Sequence, residues 1–159
     1  MDKIQLTQKP VAMAEMLIRK PASEVFQAFI DPAITTKFWF TKSSGPLEEG
    51  KKVTWTWEMY DISAVYSVSK IEQNRSIVGE WPYGDIMTHL EFKFTPCQDG
   101  TFVSVINSGF DGDGDKIVAN ALDSKGGFTW VLAGLKAYLE YGVQLHLVAD
   151  AFPKDVKAH

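Results

Sequence analysis

The clearest alternation of apolar and polar positions lies in the middle of the chain. Across Lys52–Met59, Val53, Trp55, Trp57 and Met59 fall on one side and Thr54, Thr56 and Glu58 on the other. A period of two is the signature of a half-buried strand. Ile62–Ile71 follows as a second strand whose muddled alternation suggests a bulge near Ser67–Ser69. Ser76–Trp81 sets Ile77, Gly79 and Trp81 together; Ile86–Thr95 sets Leu90, Phe92 and Phe94 against His89, Glu91 and Lys93; Thr101–Phe110 aligns Val103, Val105 and Asn107. Short turns at Tyr60-Asp61, Asn74-Arg75, Pro82–Asp85 and Gln98–Gly100 separate these runs. Spacing this tight leaves no room for crossover helices, so the five strands form an antiparallel meander.

The period changes at both ends of the meander. Val11–Arg19 reads as a further strand with Ala14, Met16 and Ile18 on one face, giving a sheet of about six strands. After Lys20-Pro21, the residues Val25, Phe26, Phe29 and Ile30 form a helical stripe. Asp31-Pro32 breaks that helix, because the residue before proline disfavours the α region. Asp31 then caps a second short helix that leads into Phe38-Trp39-Phe40. Thr41–Gly50 reads as a loop. Near the C-terminus Phe128, Val131, Leu132, Leu135, Tyr138 and Leu139 recur at spacings of three and four, one face of a long helix ending at Gly142. Phe128–Tyr141 would span about 21 Å. Ile117–Leu122 is helical for a turn or two, and Gly126-Gly127 is expected to break or bend the chain before the main helix. Met1–Lys9 is polar and expected to fray. The segment 143–159 is a tail that either continues the helix or lies along a neighbouring subunit. The order of elements gives an α+β fold, with helices on one face of an antiparallel sheet.

Length and composition narrow the function. At 159 residues the default is a single domain spanning 1–159. A net charge of −4 with scattered basic residues argues against nucleic acid as a partner. No apolar run reaches the length of a membrane span and no signal peptide is visible, so the expected setting is cytoplasmic, without a membrane partner. The single cysteine, Cys97, excludes an internal disulfide framework and fits a reducing compartment. Aromatics make up 13% of the chain, five of them tryptophan. They supply either a bulky core or the lining of a cavity.

Dedicated chemistry is sparse. There is no phosphate loop, no dinucleotide fingerprint and no nucleophile elbow, so no cofactor and no catalytic residue is assigned. Asp111-Gly112-Asp113-Gly114-Asp115 has the look of a calcium loop, but Lys116 and Leu122 stand where the motif needs Gly and Glu. Acidic residues also favour a helix N-terminus. His89, His146 and His159 are too dispersed for a metal site, and His89 reads as a solvated surface residue.

The strand followed by Pro21-Ala22-Ser23-Glu24-Val25-Phe26-Gln27-Ala28-Phe29, Asp31-Pro32-Ala33 and Lys37-Phe38-Trp39-Phe40 resembles the opening of the activator-of-Hsp90-ATPase-homologue-like domains. These belong to the START-like (SRPBCC, helix-grip) superfamily. Phe92-Lys93-Phe94-Thr95-Pro96 with Asp99-Gly100-Thr101, then Asn107-Ser108-Gly109-Phe110, then Gly127-Phe128-Thr129 through Leu135–Gly142, are similar in turn. The resemblance covers about Val11 to Pro153 and implies a curved sheet wrapped around the C-terminal helix with a cavity between them. It implies a small-molecule binding protein, more an SRPBCC-type carrier than an enzyme, and admits a stress-response role. Eukaryotic relatives that stimulate Hsp90 carry a further N-terminal domain for which this chain is expected to have no room.

On that basis the expected ligand is a hydrophobic or aromatic small molecule. The expected contacts are Trp39, Trp55, Trp57, Trp81, Phe92, Asn107, Trp130, Leu135 and Tyr138. In the family the position of Asn107 often carries a polar or acidic residue, which implies a ligand contact. Read by itself, a buried amide held by backbone fits equally. A cyclase or hydrolase using the same cavity is the alternative, and it needs Glu58, Tyr66 or His89 on the inner wall. A second copy of the chain and a chaperone stand as further partners. Against all of these is the reading in which the side chains fill the space completely.

Overall fold

The computed structural model describes residues 2–156, so Met1 and His159 of the sequence reading lie outside the described residues. The strands are β1 (Ala12–Ile18), β2 (Lys42–Ser43), β3 (Lys52–Trp57), β4 (Ile62–Glu72), β5 (Ser76–Tyr83), β6 (Ile86–Cys97) and β7 (Gly100–Ser108). The helices are α1 (Ala22–Ile30), α2 (Pro32–Thr35), α3 (Gly114–Tyr141) and α4 (Leu147–Asp150). All strands join one antiparallel sheet in the order β1-β7-β6-β5-β4-β3-β2. The sheet thus has seven strands rather than about six. The extra one is β2, two residues of the expected loop that pair with β3.

The inward faces follow the alternation. Val53, Trp55 and Trp57 are buried on β3, Leu90, Phe92 and Phe94 on β6, and Val103, Val105 and Asn107 on β7. A register shift between Val68 and Lys70 supplies the bulge expected in β4. Asp31 caps α2 through its side chain, which accepts from the Ala33 N–H at 2.9 Å.

The largest departure from expectation is α3. It runs unbroken for 28 residues, about 42 Å. Gly126 and Gly127 lie inside it and do not break it. Its buried positions Ile117, Ala121, Ser124, Phe128, Val131 and Leu135 recur at alternating steps of four and three, in phase across the glycine pair. Packing along that stripe outweighs the cost of about 1 kcal/mol for each helical glycine. The helix therefore gains from a side chain at the open position. A Cβ at Gly126 would meet no atom within 4 Å, and Gly126→Ala is expected to stabilise the protein by about 0.5–1 kcal/mol. Urea unfolding checks this; a loss of stability would mean that the backbone at Gly126 departs from helical geometry.

Both ends of α3 are tied down. At the start, Asp113 caps the helix by accepting from the Lys116 N–H at 2.9 Å. Asp115 accepts from the Ile4 N–H at 2.7 Å, and Lys3 pairs with Asp113 at 3.2 Å. The acidic run therefore serves the helix terminus and the arm of residues 2–9, which has no regular secondary structure but lies against it. Along the helix, Lys136 donates to the Leu17 carbonyl at 2.8 Å and to Glu140 at 2.7 Å, while Glu140 accepts from the Arg19 N–H at 3.0 Å. Those contacts occupy the free side of β1, an edge strand that would otherwise offer unpaired backbone groups.

At Gly142 the backbone enters the left-handed region, with φ 66°, and its N–H bonds to the Tyr138 carbonyl at 2.8 Å. The helix ends there, and the tail neither extends it nor leaves the molecule. It folds back as α4 towards the 3-10 turn Glu58–Tyr60. The Tyr60 hydroxyl donates to the Val148 carbonyl and lies 3.2 Å from the Ala149 carbonyl.

Candidate functional site

Between the sheet, the middle of α3 and the returning tail lies a cavity of about 190 Å³. Trp57 on β3 and Trp81 and Tyr83 on β5 line its sheet side, with Trp39 from the segment after α2. Asp123, Ser124, Gly127, Phe128, Trp130 and Val131 come from α3. Tyr60 and the tail residues Val148, Ala151 and Phe152 form the front.

The aromatic wall is built by stacking. Trp39 packs on Trp55 with ring centroids 4.7 Å apart, on Phe128 at 5.6 Å, and on Trp57 and Trp81 at 6.2 Å. Behind it, Trp55 is sandwiched between Phe40 and Tyr66, each at 5.0 Å and nearly parallel. Phe152 meets the edges of Tyr60 and Trp130 at about 6 Å, so the tail is seated on rings at both sides of the opening.

A few polar groups interrupt this surface. The Tyr83 hydroxyl donates to the Asp123 carboxylate. Burial, then the hydrogen bond to Asp123 and the charge of Asp123, push the Tyr83 phenol far above its ordinary range. The Tyr60 phenol is raised chiefly by burial, opposed by a backbone hydrogen bond at Phe152 and helped by the charge of Asp150. Ser124 donates to the Asn107 side-chain oxygen at 2.8 Å. The Asn107 amide nitrogen in turn donates to the Thr88 hydroxyl and the His89 carbonyl, both at 2.8 Å, and Thr88 donates to the Trp81 carbonyl at 2.7 Å. The amide is thus occupied by protein groups on two elements, α3 and β6. It reaches the cavity wall through Ser124.

Of the expected contacts, the structure brings Trp39, Trp57, Trp81 and Trp130 together on one lining. Trp55, Phe92, Asn107, Leu135 and Tyr138 do not join them. Trp55 and Phe92 sit one layer deeper in the core, and Leu135 is fully buried. The cavity ends at Val131, and Leu135 and Tyr138 lie about 6–10 Å further along the helix axis. The groups that the enzyme alternative required are also elsewhere. Glu58 is exposed and pairs with Lys42 at 3.4 Å. His89 is exposed on the outer face beside Glu80 at 2.8 Å. Tyr66 is fully buried and donates to the Leu90 carbonyl at 2.8 Å; burial first, then the charges of Glu80 and Glu91, raise its phenol well above normal.

The sequence reading missed Tyr83, Asp123, Ser124, Tyr60 and the tail. Tyr83 was legible: it continues the alternation Ile77, Gly79, Trp81 beyond Pro82, where the strand was expected to stop. Ser124 was legible as a member of the stripe that recurs in steps of four and three along α3. Tyr60 and α4 meet only in three dimensions. Cys97 is exposed at the end of β6. Among the described residues, no group of His, Cys, Asp or Glu is placed to hold a metal ion, and no helix is long and apolar enough to cross a membrane.

A family model described as activator of Hsp90 ATPase homolog 1-like protein matches residues 19–140. A solved structure of a Staphylococcus saprophyticus protein is 31% identical, with a TM-score of 0.74 over 86% of this chain and 96% of that one. A Mesorhizobium loti protein is 20% identical, with a TM-score of 0.73 over 82% of this chain and 97% of that one. The Aha1 dimer from Colwellia psychrerythraea is 18% identical, with a TM-score of 0.72 over 84% of this chain and 98% of that one. The latter two are similar in fold. No curated protein matches the sequence significantly.

Proposed function

Because this chain belongs to the activator of Hsp90 ATPase homolog 1-like family and has its helix-grip fold, we propose that it is a binding protein for a hydrophobic or aromatic small molecule, held between sheet and α3. The observation that carries this reading is the cavity itself. It is lined by Trp39, Trp57, Trp81 and Trp130, with few polar groups among them. Small-molecule sites have this character: concave, mainly apolar, with a few placed polar atoms. At about 190 Å³ the space suits one ring with a short substituent, since an apolar cavity of about 150 Å³ holds benzene. The proposed setting is cytoplasmic, in keeping with a single exposed cysteine.

Tryptophan fluorescence tests the reading, because the proposed site contains most of the chain's indoles. Titration with benzyl alcohol is expected to give a saturable change. Gly127 lines the cavity, and a Cβ there would meet no atom within 4 Å. Gly127→Leu should therefore fill the space without straining the helix and abolish the change. A non-saturable response, or one that survives Gly127→Leu, would overturn the proposal.

A further inference from the structure

The lining has a sign. None of the lining residues is Lys, Arg or His, and Asp123 carries the formal charge of the wall. Trp57, Trp81 and Trp130 line the space, and an indole that turns its face to a ligand presents the negative end of its quadrupole, which attracts a cation. The hydroxyl protons point the same way. Tyr83 donates to Asp123, and Ser124 donates to Asn107. Both protons are spent within the protein, which leaves oxygen lone pairs for a ligand. Tyr83 takes Oδ2 of Asp123; Oδ1 remains to accept from a second donor. Asp123 is exposed, so it marks the mouth, while Trp57 and Trp81 are buried and form the floor.

We infer that the cavity takes an organic cation: an ammonium group carried on one aromatic ring, the ring among the buried indoles and the ammonium beside Asp123. This rests on the binding reading above and specifies its ligand class. A carboxylate-bearing ligand of the same size would bring a second negative charge to a wall with no basic side chain. A neutral ring would gain the apolar contacts but bring no positive charge to the Asp123 carboxylate, which would keep Tyr83 and solvent as its partners.

A charge series on one ring tests the inference. Benzylamine is protonated at neutral pH, benzyl alcohol is neutral and benzoate is anionic, on the same ring. Tryptophan fluorescence titrations in low salt should rank them in that order, with benzylamine about tenfold tighter than benzyl alcohol. Added salt should narrow the gap, because Asp123 is exposed and its field is screened. Asp123→Asn keeps an acceptor for Tyr83 and removes the charge. Its amine-to-alcohol affinity ratio should fall to within about threefold. The ratio is taken within each variant, so a general loss of affinity cancels. Equal or tighter binding of benzyl alcohol or benzoate would overturn the cation inference alone, as would a ratio unchanged in Asp123→Asn. Failure of all three ligands to bind would overturn the binding reading and this inference with it.

Discussion

Trp39→Ala should be the most damaging single truncation in the cavity wall, destabilising the protein by about 3–5 kcal/mol and lowering the thermal midpoint by about 6–20 °C. Trp39 stands where three parts of the molecule meet. It packs on Trp55, Trp57, Trp81 and Phe92 from the sheet, on Phe128 from α3, and on Phe40 from its own segment. Its ring neighbours come from all three parts, so little can relax into the space it leaves. The same truncation merges that space with the cavity, and a single-ring ligand then loses one wall. Trp39→Phe keeps a ring and should recover most of the stability. Calorimetry of both variants checks this. A midpoint shift below about 2 °C for Trp39→Ala would show that the segment after α2 is a mobile flap and not part of the core.

The second large effect is expected at Asn107. Asn107→Ala removes a fully buried amide that joins Ser124 on α3 to Thr88 and the His89 carbonyl on β6. It leaves the Ser124 hydroxyl facing a void. The expected loss is about 2–4 kcal/mol, from stranded polar groups and from the cavity together. Asn107→Asp separates the two contributions. A carboxylate fills the volume but sets an acceptor against the His89 carbonyl, so the folded state favours its protonated form. Its folded pKa is then raised above the unfolded value. The stability from holding that proton is present in acid and lost as pH rises through the raised value. Urea unfolding of Asn107→Asp should therefore show recovery as pH is lowered from neutral. A variant equally stable across that range would mean that water already reaches Asn107.

Much of the architecture was legible because a strand's period is short and tolerant. Val53, Trp55 and Trp57, and Leu90, Phe92 and Phe94, declare an inner face within six residues. The long helix was only half legible. Phe128 to Leu139 is strongly apolar, but upstream the same stripe passes through Ala121, a small residue, and Ser124, a polar one that bonds to Asn107. Hydrophobicity fades there while the spacing does not, and glycine propensity alone then suggests a break. The two-residue β2 has no period to detect.

The cavity divides in the same way. Its tryptophans were readable as inward positions, but which of them bound open space and which bound other rings depends on stacking. Trp55 is enclosed by Phe40 and Tyr66, whereas Trp57 is not. The tail was not readable at all, because Tyr60 meets Val148 across 88 residues of sequence.

That tail gives the cavity an unequal ancestry. The sheet and α3 walls fall within residues 19–140, the stretch shared with the family. Val148, Ala151 and Phe152 fall beyond it. Sequence drift in those last positions alters the front of the cavity and leaves its sheet and α3 walls in place. If the cavity binds as proposed, exchanging that tail between two such domains would change what the cavity admits without touching the frame that forms its other walls.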